Sequence, residues 1–191
     1  MDNLNNLKTT IKLFEYYKLL GEKSIEQISD ENLFWQYNPE CNSVSTIVKH
    51  LSGNMLSRWT NFLATDGEKE SRNREEEFTS NIDSREEMMG LWNRGWSCFF
   101  ETLKSLQPSD LNKIIFIRNQ GQTVMEAINR QLAHYPYHIG QIVFIAKMVC
   151  NDPWISLSIP KGQSKKYNDN KFEQPKQTEH FTDEFLNKKA E

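Results

Sequence analysis

The chain has no apolar run that approaches the ~20 residues needed to cross a bilayer. It also has no excess of positive charge, with a formal net charge of −3 and a pI of about 5.9. Because nucleic-acid-binding domains usually present a basic face, neither a nucleic acid nor a membrane is an expected partner. The N-terminus has no basic segment followed by an apolar one, so no signal peptide is predicted.

Cysteine is scarce as well. The three cysteines, Cys41, Cys98 and Cys150, are odd in number, far apart and without CxxC spacing. This pattern favours unpaired thiols in a reducing compartment over a disulfide framework. Together with the missing leader, it predicts a cytoplasmic protein.

What the sequence has in abundance is amphipathic helical periodicity. Four helices are predicted, over about residues 3–20, 44–63 and 84–106, and from about residue 123 to 151. Their predicted boundaries are Gly21 at the end of the first helix, Ser43 or Asn42 as the cap of the second, and capping boxes at Asp83-x-x-Glu86 and Thr123-x-x-Glu126. The predicted fold is therefore all-α, an antiparallel four-helix bundle.

Three segments lie outside these helices. The β-branched run 113–118 is expected to stay extended before the last helix or to form one arm of a hairpin. The charged run 68–77 is predicted to be a solvated loop. Residues 1–155 are assigned to the bundle and residues 156–191 to a polar, partly flexible C-terminal extension, with aromatic residues that can anchor it: Phe172, Phe181 and Phe185.

The most informative motif is a histidine pair, His134 and His138, in the last predicted helix. Residues four apart on a helix lie about 40° apart around its axis and about 6 Å apart along it. His138 falls inside the apolar stripe of this helix and His134 falls on its margin. Because an unpartnered polar ring is costly in such a place, the pair indicates a shared metal ion.

A third ligand is available in the second predicted helix. His50 lies at the edge of the apolar stripe of that helix, a position that suits a residue aimed at the seam between neighbouring helices. With His134 and His138 it would complete a three-nitrogen site with an open coordination position. The alternative is that all three histidines are ordinary core or surface residues. The fourth histidine, His180, lies in the polar tail and is expected to be solvated.

These segments, Lys49–Asn54 and the run from His134 to Gln141, resemble the DinB/YfiT-like superfamily over roughly residues 5–150. Residues 156–164 resemble an extension found in an uncharacterised Bacillus-type branch of it. The resemblance implies a four-helix bundle, commonly homodimeric, with a divalent metal on His50, His134 and His138. It also implies that some members are metal-dependent thiol S-transferases that use low-molecular-weight thiols such as bacillithiol or mycothiol.

The chemistry of such a site favours thiol transfer in stress or detoxification, with a small-molecule thiol and an electrophilic substrate. A metal-bound thiol is deprotonated by the ion itself. Hydrolysis normally also needs a nearby carboxylate as general base, and the residues between His134 and His138 provide none. A metal-dependent hydrolase and a non-catalytic metalloprotein remain alternatives.

Other properties of the site are less constrained by the sequence. Zinc or nickel is the expected metal, with iron or manganese as further options. The pattern identifies no catalytic side chain. Asn54, Arg58 and Gln141 are expected to orient a ligand or to attract an anionic thiol; the alternative is that they make ordinary polar contacts beside their helices.

Overall fold

The computed structural model describes residues 3–79 and 81–187. These residues are mostly helical, as predicted, with one small sheet. The helices are α1 (Asn3–Ile25), α2 (Val44–Trp59), α3 (Arg85–Ser105), α4 (Val124–Val149), α5 (Ser164–Phe172) and α6 (Asp183–Leu186). The strands are β1 (Ile114–Ile117) and β2 (Gln120–Thr123), an antiparallel pair in which Ile114 lies opposite Thr123. No helix in the described part of the chain is long and apolar enough to span a membrane.

Side-chain caps start the helices that carry the histidines. Ser43 accepts a hydrogen bond at 3.1 Å from the backbone N–H three residues further on and so caps α2. Thr123 and Glu126 form the predicted capping box at the start of α4. The cap of α3 is Ser84, one residue after the predicted Asp83. Local sequence therefore determines where the site-bearing helices begin.

Two predicted helix ends are wrong. Helix α1 continues through Gly21 to Ile25. A Cβ atom on Gly21 would lie 2.6 Å from Cη2 of Trp92, so this glycine permits close packing of α1 against α3 and does not end the helix. Helix α2 stops at Trp59, short of the predicted residue 63, and Asn61 beyond it has a left-handed backbone with φ of 50°.

An aromatic core lies between α2, α3 and α4 and contains Trp59 and Tyr135, both almost fully buried. The Tyr135 hydroxyl accepts a hydrogen bond at 2.9 Å from Nε1 of Trp59 and donates one at 3.1 Å to Oδ1 of Asn54. Because Trp59 and Asn54 belong to α2, this hydroxyl fixes α4 against α2. Tyr135 is the neighbour of His134, so the core positions the predicted site directly.

The C-terminal segment returns to the surface of α1. The rings of Phe181 and Phe185 lie 5.8 Å and 5.2 Å from the ring of Tyr16, measured between centroids. Phe172, in contrast, is 86% exposed, so two of the three predicted anchors contact the helical body. Residues 188–191 of the predicted extension 156–191 lie outside the described residues.

Candidate metal centre

Helices α2 and α4 bring the three predicted ligands together. Nε2 of His134 lies 3.5 Å from Nε2 of His50 and 3.1 Å from Nε2 of His138. One nitrogen from each ring lies within 4.8 Å of the others. His50 is buried and the other two histidines are partly buried. This group can hold a metal ion.

A second set of side chains orients the three rings, because each Nδ1 faces a side-chain oxygen. The contacts are Glu77 Oε2 at 2.9 Å from His50, Gln131 Oε1 at 3.2 Å from His134 and Gln141 Oε1 at 3.1 Å from His138. An oxygen acceptor keeps the proton on Nδ1, which leaves Nε2 as the nitrogen with the free lone pair. Three such lone pairs point into one small volume, an arrangement that a cation stabilises.

The spacing of the nitrogens fits a first-row divalent ion. Zinc–nitrogen bonds of about 2.0–2.1 Å in tetrahedral geometry separate two ligand nitrogens by about 3.3–3.4 Å. The observed separations of 3.1 Å and 3.5 Å lie on either side of that value. Among the described residues, no cysteine, carboxylate or further histidine joins the group as a fourth ligand. A metal ion held by the three histidines would therefore keep a coordination position that none of these residues fills.

Electrostatics keep the α4 histidines neutral. Burial, acting together with the neighbouring His138 and His50, lowers the pKa of His134 to about 3. Burial also lowers the pKa of His138, although the hydrogen bond with Gln141 acts the other way. Because a metal must compete with protons for imidazole nitrogen, both rings are ready to bind a cation at neutral pH.

Glu77 corrects the prediction that the charged run 68–77 is a solvated loop. The side chains of Glu77 and Arg72 are only 7% and 5% exposed and lie 2.6 Å apart, from Oε1 to Nε. Burial alone would raise the pKa of Glu77, but hydrogen bonds from His50 and Arg72 hold this pKa below its ordinary value. The carboxylate is thus ionised and orients His50. The only sequence feature that hints at the burial of Glu77 is the aromatic residue Phe78, which follows the charged run. In the structure, the Phe78 ring stacks on the His50 ring at a centroid distance of 5.0 Å.

Gln131 is the other contact missed from the sequence. It precedes His134 by three residues, just as Gln141 follows His138 by three, and this mirrored spacing is a signal that could have identified it. Gln141 contacts His138, and Gln131, which is almost fully buried, contacts His134. Together they hold the two α4 rings by amide oxygens of the same helix.

The predicted residues Asn54 and Arg58 both line the cavity above the centre. Asn54 is held by the buried Tyr135 hydroxyl. Arg58 donates hydrogen bonds to the carbonyl of Gly67 and, at 2.8 Å, to Glu68. Both residues therefore border the site, and neither contacts a ligand nitrogen directly.

The cavity over the ligand nitrogens has a volume of about 410 Å³. Two aromatic rings flank the histidines, Phe78 against His50 and Tyr137 against His138, each at a centroid distance of 5.0 Å. The remaining wall is strongly basic and includes five arginines: Arg58, Arg72, Arg74, Arg118 and Arg130. This volume suits a small-molecule ligand.

Comparison with known families gives one match. A family model described as "Protein of unknown function (DUF1572)" matches residues 3–163. That range contains helices α1 to α4, the hairpin and all three histidines of the centre. No curated protein and no solved structure matches the chain. The description of the family carries no activity, so the chemistry has to be argued from the centre itself.

Proposed function

The chain belongs to the DUF1572 family, and we propose that it is a metal-dependent thiol S-transferase that uses a low-molecular-weight thiol of the bacillithiol type. The observation that carries this proposal is the convergence of three Nε2 atoms at the floor of an open cavity, with no fourth ligand among the described residues. We propose that this thiol transfer serves in stress response or detoxification.

The proposal extends to the superfamily and the assembly. Contacts of α2 with α3, of α1 with α4 and of α2 with α4 support an antiparallel four-helix bundle of the DinB/YfiT-like type. The three-histidine group on α2 and α4 supports the same assignment, because that superfamily places its metal there. We also propose that the protein is a homodimer, because members of the superfamily it resembles are commonly homodimeric.

A divalent ion held by the histidines would supply the Lewis acidity that removes the proton of a thiol at the open position. In the proposed reaction the sulfur forms a bond to an electrophilic carbon as the bond from that carbon to its leaving group breaks. The leaving group departs with the bonding pair, and the thiol proton goes to solvent. Glu77, Gln131 and Gln141 keep the three Nε2 atoms directed at the cavity, and Phe78 and Tyr137 shield its sides.

Hydrolysis is a weaker alternative because it needs a carboxylate that can take a proton from water near the open position. None of the described residues that line the cavity is acidic. Glu77 lies on the Nδ1 side of His50, away from its Nε2, and both carboxylate oxygens accept hydrogen bonds from His50 or Arg72. Thiol transfer has no such requirement.

The first test is elemental analysis of three proteins reconstituted with zinc or nickel: wild type, His138→Ala and the control His180→Ala. The control removes a histidine that lies outside the group. We expect about one divalent ion per chain in the wild type and the control, and a large loss in His138→Ala. No bound metal in the wild type would overturn the metal centre.

The second test measures the rate at which bacillithiol reacts with chlorodinitrobenzene in the presence of the same three proteins. We expect acceleration by the wild type and by His180→Ala, and none by His138→Ala. A wild type that binds metal but gives the same rate as His138→Ala would contradict the transferase proposal. The ion would then serve to link α2 to α4, which is the non-catalytic alternative.

A further inference from the structure

The cavity above the histidines is lined by more positive charge than the neighbouring carboxylates neutralise. Two of its five arginines are paired deep in the wall: Arg58 with Glu68 at 2.8 Å and Arg72 with Glu77 at 2.6 Å. The side chains of both arginines are less than a tenth exposed. Each of these two arginines is thus neutralised by a carboxylate that does not itself line the cavity.

The three arginines at the rim are not matched in this way. Arg118 reaches Glu68 at 3.2 Å, but that carboxylate is already hydrogen-bonded to a buried arginine. Arg74 lies 3.8 Å from Glu75, whose side chain is almost fully exposed to water. Arg130 has no acidic partner within ion-pair distance among residues 3–79 and 81–187, the described part of the chain. The rim therefore presents excess positive charge to whatever enters.

Backbone contacts place Arg118 at this rim. Arg118 and Asn119 form the turn between β1 and β2 with φ values of 55° and 60°, a left-handed conformation that is unfavourable for arginine and better tolerated by asparagine. The Asp66 carboxylate accepts hydrogen bonds from both backbone N–H groups at 2.9 Å. The N–H of Gly67 donates to the carbonyl of Phe116 at 2.8 Å. The hairpin is thus fastened to the loop after α2, and Arg118 does not sit on a free loop.

One of the three rim arginines lies a single helical turn from a ligand histidine. Arg130 precedes His134 by four residues in α4, about 6 Å along the helix axis. A molecule of modest size can therefore reach the rim and the histidines at once. A divalent ion at the histidines would add to the positive potential of the cavity, and opposite charge on the ligand is the simplest way to balance it.

We propose that the cavity binds a substrate that carries a group with two or more negative charges, a dicarboxylate or a phosphate, through Arg74, Arg118 and Arg130. That this substrate is a thiol whose sulfur is directed at the histidines rests on the proposed function. The anion site itself depends only on the arginines. Arginine suits such a site because one planar guanidinium group can donate two parallel hydrogen bonds to two oxygens of a carboxylate or phosphate.

The test is calorimetric titration of the full-length protein with succinate, inorganic phosphate and acetate at constant ionic strength. Each titration is made with chelator-treated protein and with metal-reconstituted protein, because a bound metal attracts anions by itself. We expect succinate, phosphate or both to bind at least about tenfold more tightly than acetate, even without metal. A preference for succinate identifies a dicarboxylate, and a preference for phosphate identifies a phosphate group.

Variants separate the rim from general surface charge. The double substitution Arg118→Gln with Arg130→Gln should weaken dianion binding about tenfold or more. Arg94→Gln is the matched control, because it removes an exposed arginine of α3 that does not line the cavity. Thermal unfolding of each variant verifies that it is folded. Equal affinity for acetate and the dianions, or an equal loss in Arg94→Gln, would overturn the anion site.

Failure of the anion-site proposal is distinguishable from failure of the transferase proposal. Chelator-treated His138→Ala should retain dianion binding, since the rim arginines are intact. Absence of thiol transfer by the metal-reconstituted wild type, together with its binding of dianions, would contradict only the transferase. Thiol transfer by the wild type without any preference for dianions would contradict only the anion site.

Discussion

Replacing Gly53 by alanine perturbs the metal centre without touching a ligand. Gly53 lies in α2 against the buried Glu77, and a Cβ atom there would lie 2.3 Å from Oε1 and 2.8 Å from Cδ of that carboxylate. Contacts this short require the carboxylate to move. The move is costly because the same carboxylate is held by His50 at 2.9 Å and by Arg72 at 2.6 Å.

The size of the effect follows from these contacts. The carboxylate accepts three charge-assisted hydrogen bonds, and the loss of two of them would cost about 1.5–3 kcal/mol each. Alanine in place of glycine inside a helix recovers about 1 kcal/mol. The expected change is therefore a net loss of roughly 2–5 kcal/mol in the free energy of unfolding. Metal affinity should fall about 10–100-fold, as is usual when the partner that orients a ligating histidine is lost.

Urea unfolding of the metal-free protein and metal competition against a chromophoric chelator measure the two effects. The matched control is Gly140→Ala in α4, where a Cβ atom would meet nothing within 4 Å. That variant should gain about 0.5–1 kcal/mol in stability and keep its metal affinity. If Gly53→Ala were as stable as Gly140→Ala and bound metal equally well, the assigned role of Glu77 would be refuted.

Three further predictions concern the histidines and their neighbours. The metal-free protein should lose stability as the pH falls from about 6.5 towards about 3. Unfolded His134 takes up a proton near its ordinary pKa of 6.5, whereas burial and the neighbouring charged groups lower its pKa to about 3 in the folded protein. Urea midpoints across this window measure the loss, and a constant midpoint would contradict it. Tyr135→Phe should cost about 1–3 kcal/mol in unfolding free energy and leave metal content unchanged, because Trp59 and Asn54 lose a buried partner. Gln141→Leu should weaken metal binding by about tenfold or more in the chelator assay with little change in thermal unfolding, since one ring loses its Nδ1 acceptor.

The parts of this molecule that the sequence predicts are those set by local periodicity. Ser43 and the Thr123–Glu126 box start helices where the pattern places them. The four-residue spacing of His134 and His138 puts both rings on one helix face whatever the tertiary structure. Such features depend on contacts within a turn or two, and a single sequence contains them.

The parts that the sequence does not predict depend on contacts between distant segments. Glu77 lies 27 residues from His50 in a run without periodicity, and its burial depends on Arg72, which neutralises it inside the fold. Gly21 looks like a helix end but serves close packing against Trp92, 71 positions further on. The residue type alone therefore does not reveal the role of Glu77 or of Gly21, because that role depends on a partner elsewhere in the chain.

The two halves of the candidate metal centre are far apart along the chain, because His134 follows His50 by 84 positions. During synthesis, the ribosome must complete most of α4 before the third nitrogen can meet the other two. Two histidines of one helix hold a divalent ion much less firmly than three, so tight metal capture comes late and only in a chain that has already assembled α2 against α4. Metal retention would therefore report on tertiary structure: correctly folded molecules would keep the ion, and misfolded molecules would release it.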